Sequence, residues 1–278
     1  MDAHVYLAFC AIYRDEAEYL PEWIEFHKLV GVERFFLYNN LSADNHLAVL
    51  APYIEERSVV VHDWPGDAPE VPAQAKCYRA CVERHRGEAR WIGFIDLDEF
   101  VFSPTGRPVG EVLREYEYAP CVYINRAEFG SSGHKSKPEG LVIESYTRRS
   151  DDPRLNGSLK KIVDPARTVD AGAHLSTFTE GSAVNENHEP VTGRNEGQVS
   201  FAKLRVNHYF TKSEEEARVK AHRLRPSDAR EHISLQLKLP EMLAMRDQVT
   251  DTEILTYVPA LRSALGRRRK GAEIEAAS

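Results

Sequence analysis

Apolar positions along the first hundred residues switch repeatedly between two periods. Residues 5–12 form one unbroken apolar run, the pattern of a parallel strand buried on both faces. Leu20, Trp23, Ile24 and Val30 then recur at helical spacing, and Gly31 stops the pattern. Residues 34–38 read as a second strand and the polar run from Asn39 to Asp44 as a turn, with Asp44 placed to cap a helix carrying Leu47, Leu50 and Ile54. A third strand is expected over 58–62. After a Pro- and Gly-rich stretch over 65–72, Tyr78, Cys81, Val82 and His85 share one helical face that ends at Gly87. Residues 91–95 give a fourth strand that runs straight into Asp96-Leu97-Asp98-Glu99-Phe100. Alternating β and α elements predict an α/β fold with a doubly wound parallel sheet. Ligands bind such sheets beyond the carboxyl ends of the strands, so the loops after Ile12, Tyr38, Val61 and Ile95 should line one crevice.

The second half is less regular. Short strands are expected around 121–125, 141–146, 160–163 and 204–208, and the polar, Gly-rich stretch 176–197 is the best candidate for a mobile loop. Ser213 and Glu216 have the S-x-x-E spacing of a capping box, so Thr211-Lys212-Ser213 should open a helix. Near the end, Ile254, Val258, Leu261 and Leu265 repeat at helical spacing before Gly266-Arg267-Arg268-Arg269-Lys270. That tail reads either as a packing helix with a solvated basic end or as an interfacial contact with anionic lipid.

Composition narrows the classes. A formal charge of -7 opposes a general nucleic-acid binder, which needs a basic surface to displace counterions. Cys10, Cys77, Cys81 and Cys121 show no C-x-x-C spacing, which favours reduced thiols and a reducing compartment. The first residues lack a basic n-region and no apolar run approaches the ~18 residues that span a bilayer, so a cytoplasmic location is expected.

The acidic turn carries the chemistry. Asp96 and Asp98 occupy alternate positions of an extended segment and so project the same way. Two close carboxylates repel unless a cation sits between them, which makes this an oxygen-ligand site for magnesium or manganese, able to neutralise a diphosphate leaving group. The bland alternative is a strand-end turn of caps and solvated charges; its place at the mouth of a buried strand favours the site. A dehalogenase-like phosphatase also uses D-x-D, but on its first strand and followed by Thr or Val, whereas here Glu99-Phe100 follows on the fourth.

At this point the sequence resembles glycosyltransferase family 92 and its bacterial family-2-like relatives. Arg14-Asp15-Glu16 is similar to the family's basic–Asn/Asp–Glu signature, and residues 19–32 follow its LxEWIEYHxxLGV helix. Tyr38-Asn39-Asn40-x-Ser42-x-Asp44 resembles Y[DN]NxSxD, and residues 91–100 resemble WIxFxDxDEF. Farther on, residues 129–134 (FGSSGH), 141–149 (LVIESYTRR) and 207–216 (NHYxTKSxEE) look like family elements in the right order. One departure is that relatives tend to carry a tryptophan before FGSSGH, where this chain has Asn125-Arg126-Ala127-Glu128.

The resemblance implies a GT-A fold, a mostly parallel central sheet flanked by helices with a less regular acceptor half. It implies one domain over 1–278: a nucleotide-sugar half (1–103), an acceptor half (104–240) and a helical tail (241–278). It also implies an inverting, metal-dependent transfer from a UDP-sugar, with galactose the commonest donor, onto a glycan or lipid-linked glycan. Tyr13, Asp15 and Glu16 open the loop where relatives hold the nucleoside, although Asp15 could equally cap a helix. Asn39 falls at a uracil or ribose position or serves its turn, and Gln74 and Lys76 lie near the acidic crevice or on an exposed face. With Asp96 and Asp98 as metal ligands, His208 fits the last metal contact of GT-A enzymes, against the alternative of a core histidine. Lys212 and the helix N-terminus after it could hold a phosphate, and Arg148, Arg149 and Lys160 could add positive charge. Inversion needs a carboxylate base, for which Glu128, Glu144, Asp151 and Asp152 all remain open. Gly130, Ser131, Ser132, Gly133 and His134 would shape the acceptor pocket. The readings that stand against this one are a non-catalytic sugar- or nucleotide-binding relative and, after it, a metal-dependent phosphatase.

Overall fold

The computed structural model describes residues 4–64, 73–173, 175–193, 199–222 and 233–276. The predicted alternation is present: β1 (Val5–Tyr13), α1 (Leu20–Leu29), β2 (Arg34–Asn39), α2 (His46–Glu55), β3 (Val59–Asp63), α3 (Ala73–His85) and β4 (Ala89–Phe94). These four strands are parallel, in the spatial order β3-β2-β1-β4. One face of the sheet packs Leu7, Phe9, Phe35 and Leu37 against Trp23, Ile24 and Phe26 of α1 and Leu50 of α2. The other packs Ala8, Cys10 and Phe36 against Cys77, Tyr78, Cys81 and Val82 of α3. Helices on both faces leave the strands no polar side, which explains their continuous apolar runs. Gly31, at φ +96°, ends α1 as expected of a left-handed stop. All four cysteines are buried and unpaired.

Beyond β4 the chain adds β5 (Glu99–Phe102), α4 (Val109–Leu113), β6 (Cys121–Glu128), α5 (Val142–Ser145), β7 (Arg148–Arg149), α6 (Pro153–Asn156), β8 (Leu159–Val163), β9 (Thr168–Ala171), β10 (Ser176–Phe178), β11 (Val184–Asn185) and β12 (Arg205–His208). The C-terminal part holds α7 (Glu214–Ala221), α8 (Ile233–Ala244), β13 (Val249–Thr250) and α9 (Val258–Ala276). The main sheet continues β4-β8-β6-β12-β5, with β11 on β6. It is mostly parallel and flanked by helices, but β8 is antiparallel to both β4 and β6, and β5 pairs antiparallel with β12. Strict alternation therefore holds only for the first four strands.

Three local expectations are corrected. Residues 141–146 form no strand: the Glu22 carboxylate accepts hydrogen bonds from the Val142 and Ile143 amides (2.8 and 3.1 Å) and holds them as the helical turn α5. Asp44 is not the N-cap residue of α2, which is Asn45, but its Oδ1 accepts the first helical amide, that of His46 (3.3 Å), while its other oxygen accepts the Ala17 amide (2.8 Å) and links the loops after β1 and β2. The stretch expected to be a loop over 176–197 carries β10 and β11, with 194–197, like 65–72, outside the described residues.

The tail helix α9 is a packing element. Ile254, Leu261 and Ala264 are buried, and α9 lies against α1. Arg268 bonds Glu25 (2.8 Å) and covers the Tyr53 ring, so the basic end is partly used inside the fold. Among the described residues no helix is long and apolar enough to cross a membrane.

Candidate functional site

A cleft of about 960 Å³ opens at the carboxyl ends of β1 and β4. Its walls come from the loop after β1 (Tyr13, Asp15, Glu16), the turn after β4 (Asp96, Leu97, Asp98), Gln74 of α3, Arg126 and Glu128 of β6, His208 of β12, Lys212, and Lys220 of α7. The crevice rule for parallel sheets locates it.

The acidic turn is fixed from three sides. Trp23 of α1, fully buried, donates its indole N–H toward the carbonyls of Asp96 (3.1 Å) and Glu99 (2.9 Å). His27, one helical turn on, accepts the Val101 amide on Nε2 (3.0 Å) and donates Nδ1–H to the Trp23 carbonyl (2.8 Å). Glu99 is fully buried; its carboxylate accepts from the Asp96 amide (2.9 Å) and pairs with Lys160 (2.8 Å) and Arg126 (3.1 Å). The family-like helix thus serves the site by holding its backbone.

The two aspartates are then treated differently. Asp96 accepts from Gln74 (3.0 Å) on one oxygen and from Lys160 (2.6 Å) on the other. Burial alone would raise its carboxyl, but the Lys160 charge outweighs that and holds it below the ordinary range. Asp98 Oδ2 receives Lys220 (2.6 Å), and Oδ1 lies 3.6 Å from His208 Nε2. Against its burial, Lys220 and His208 drive the Asp98 carboxyl well below the ordinary range. His208 Nδ1 bonds Glu128 Oε1 (2.8 Å). Burial would depress this imidazole, but Glu128 and Asp98 outweigh it and push it up to about 8. Glu128, also paired with Arg126 (3.1 Å), goes down to about 2: its own burial is overcome by His208 and Arg126.

Lys212 sits at φ +50°, a left-handed conformation that costs a non-glycine residue about 1 kcal/mol or more. Its ammonium lies 3.2 Å from the Tyr19 ring centroid and, among the described residues, has no hydrogen bond or ion pair. Burial lowers its pKa. The capping box is present, with Ser213 Oγ accepting the Glu216 amide and Glu216 returning to the Ser213 amide. The helix terminus behind it is closed, however: the Glu214, Glu215 and Glu216 amides are bound by His134 O, Lys135 O and Ser213 Oγ. The cleft is offered a side chain rather than helix amides.

Of the sequence candidates, Tyr13, Asp15, Glu16, Gln74, Asp96, Asp98, Glu128, His208 and Lys212 come together in this cleft; Asn39, Lys76, Glu144, Asp151, Asp152 and 130–134 do not line it. Asn39 bonds Ser42 and Asp63. Glu144 pairs with Arg262 (2.6 Å), Asp152 caps α6, and exposed Asp151 bonds Gln248 through its amide. Ser131 and Ser132 are bound to Asp247, and a Cβ on Gly130 would lie 2.4 Å from an Asp247 oxygen, which excludes other residues there. Of the added positive groups, Lys160 joins the site through Asp96, while Arg148 and Arg149 bind the Asp247 carbonyl and Asp251. Reading the sequence missed Arg126, Arg246 and Lys220. Lys220 had no local signal, since its partner Asp98 lies 122 residues earlier in the chain. No three His, Cys, Asp or Glu side chains among the described residues form a metal-holding group by themselves.

Residues 4–232 match the family model for glycosyltransferase family 92. The chain belongs to glycosyltransferase family 92. A family 92 protein of Ricinus communis is 32% identical over 160 residues, 56% of this chain and 28% of that protein. One of Arabidopsis thaliana is 29% identical over 219 residues, 73% of this chain and 35% of that protein. The chain thus spans about a third of the length of the curated relatives it matches. A galactan beta-1,4-galactosyltransferase of Arabidopsis thaliana is 21% identical over 239 residues, 81% of this chain and 45% of that protein. The solved structure of S. aureus TarS aligns over 87% of this chain and 43% of that chain, at a TM-score of 0.44 and 12% identity. The family 92 match includes every cleft residue named above except Arg246, which follows α8.

Proposed function

We propose that this family 92 chain moves a hexose, galactose first among candidates, from a UDP-sugar to a glycan hydroxyl with inversion at the anomeric carbon. The observation that carries the reading is the meeting in one cleft, at the carboxyl end of the sheet, of Asp98, His208 and the Lys212 ammonium, which among the described residues has no hydrogen bond or ion pair. The galactan galactosyltransferase among the relatives supports the sugar.

In this reading Tyr13, Asp15 and Glu16 border the nucleoside end, and Lys212 balances the diphosphate. Asp96, held by Gln74 and Lys160, fixes the turn; Asp98 has Lys220 on Oδ2 and turns Oδ1 toward His208, and it is the carboxylate placed to share a cation with that imidazole. With Glu128 accepting from Nδ1, His208 presents Nε2 beside Asp98, and an oxygen–imidazole pair suits manganese better than magnesium. Asp98 and His208 would hold the ion from the protein side. The bound ion would supply charge neutralisation of the leaving diphosphate. Glu128, the one base candidate that lines the cleft, acts as the support of His208, since its oxygens face His208, Arg126 and Arg246.

The test is transfer from a panel of UDP-hexoses to β-galactoside and galactan acceptors, with and without manganese, and the product anomer read by NMR. Turnover of a UDP-hexose only with the cation, giving the inverted anomer, is expected. Tight UDP binding with no turnover across the panel would favour a non-catalytic binder.

A further inference from the structure

We infer that Lys220 is a resident counter-ion that keeps the cation half-site of Asp98 and His208 closed until the nucleotide arrives, so that metal and donor enter together. The inference rests on the donor-site reading above and goes beyond it by assigning an order of loading and a residue that enforces it.

Lys220 lies in the last turn of α7, the helix that Lys212 precedes, and both side chains line the cleft. Its ammonium is 2.6 Å from Asp98 Oδ2 and 3.0 Å from the Phe210 carbonyl, and it lies 4.2 Å from the centre of the Phe210 ring. It therefore sits on the carboxylate that the metal reading needs, while the other Asp98 oxygen faces His208 Nε2 at 3.6 Å. A divalent ion between Asp98 and His208 would stand within a few ångströms of that ammonium, and in a part-buried cleft the repulsion is strong. Either the ion stays out or the ammonium leaves.

Lys160 cannot play the same part. It bridges Asp96 and the fully buried Glu99, so displacing it would take the ammonium from two carboxylates at once and leave buried Glu99 with Arg126 as its closest ion-pair partner among the described residues. Lys220 is more exposed, and its carboxylate partner is the one that would gain the metal. Leaving Asp98 is unfavourable for Lys220 without a new anion, and the donor diphosphate on the Lys212 side of the cleft is that anion. The cation takes the carboxylate as the ammonium takes a phosphate oxygen, so each ligand raises the affinity of the other by the same factor.

The test is manganese binding, read from the spin-resonance signal of free Mn2+ and by calorimetry, with and without UDP. For the wild type, UDP should tighten manganese roughly tenfold or more, and manganese should tighten UDP equally. In Lys220→Met, manganese alone should bind roughly tenfold tighter and the gain from UDP should shrink; Lys220→Arg, which keeps the charge, should retain the wild-type gain. A thermal melt checks the fold, and Lys220→Gln replaces the methionine variant should that one fail to fold. Equal manganese affinity in wild type and variant, with the same gain from UDP, overturns the gating role and leaves the donor site standing. A wild type that binds neither manganese nor UDP overturns the donor site and the gate together.

Discussion

Two family-like turns, residues 129–134 and residues 208–213, run side by side in the fold and do opposite work. The first turns its polar groups inward: Ser131 and Ser132 give three hydrogen bonds to Asp247, Ser132 Oγ accepts the Thr147 and Arg148 amides, and the His134 carbonyl takes the first amide of α7. The second leaves His208 and Lys212 facing the cleft. A motif that looks functional can therefore be framework, and counting where each donor and acceptor goes tells the two apart.

The largest effect should come from the cleft side. Asp98→Asn keeps the shape and removes the charge, so kcat/KM should fall at least about a hundredfold in a protein that still folds, with a somewhat lower melt because Lys220 and His208 lose their carboxylate. Near-normal turnover at limiting manganese would detach the acidic turn from the chemistry. On the framework side, Asp247→Ala orphans three donors and should cost about 3 kcal/mol by denaturant unfolding. Any remaining folded enzyme should bind UDP normally; a selective loss of UDP binding would move the first turn into the site. Lys212→Met should weaken UDP roughly tenfold to thirtyfold, or 1.4–2 kcal/mol, by calorimetry with no loss of stability.

The framework beneath both turns has its own pH signature. Burial pushes His27 down to about 3 from its ordinary 6.5, so below pH 6.5 the unfolded chain takes up a proton that the folded one refuses. Its contribution is complete above 6.5 and drains as pH falls, by roughly 2 kcal/mol between pH 6.5 and 5. NMR should show the His27 ring unprotonated at pH 5; a protonated ring in the folded protein refutes the buried tautomer. Smallest of all, Glu144→Gln loses only an exposed pair with Arg262 and should change stability by less than about 0.5 kcal/mol and leave turnover intact.

What the sequence revealed divides along the same line. The four parallel strands and their helices were legible because two-sided burial writes itself as continuous apolar runs, and Ser213 with Glu216 declared the start of α7. The short run Leu141-Val142-Ile143 carries no period long enough to separate strand from helix, and Glu22, far upstream, decides it. Lys220 reads like any helical surface lysine, because its partner Asp98 lies in the first half of the chain. Pairings between distant elements, such as β8 between β4 and β6, leave no local mark.

That distance has a consequence for synthesis. β5 begins at Glu99, one residue after Asp98, and its ladder partner is β12, with Phe102 opposite Arg205 and Glu99 opposite His208. When β4 has left the ribosome, Trp23 and His27 of α1 are available to hold Glu99 and Val101, but β5 still lacks its ladder partner. The nascent chain must carry β5 without its ladder until residues 205–208 emerge, a long-range closure that is slow by nature. The cleft is therefore closed late, and a chain interrupted before β12 would leave β5 as an open, aggregation-prone edge beside the acidic turn.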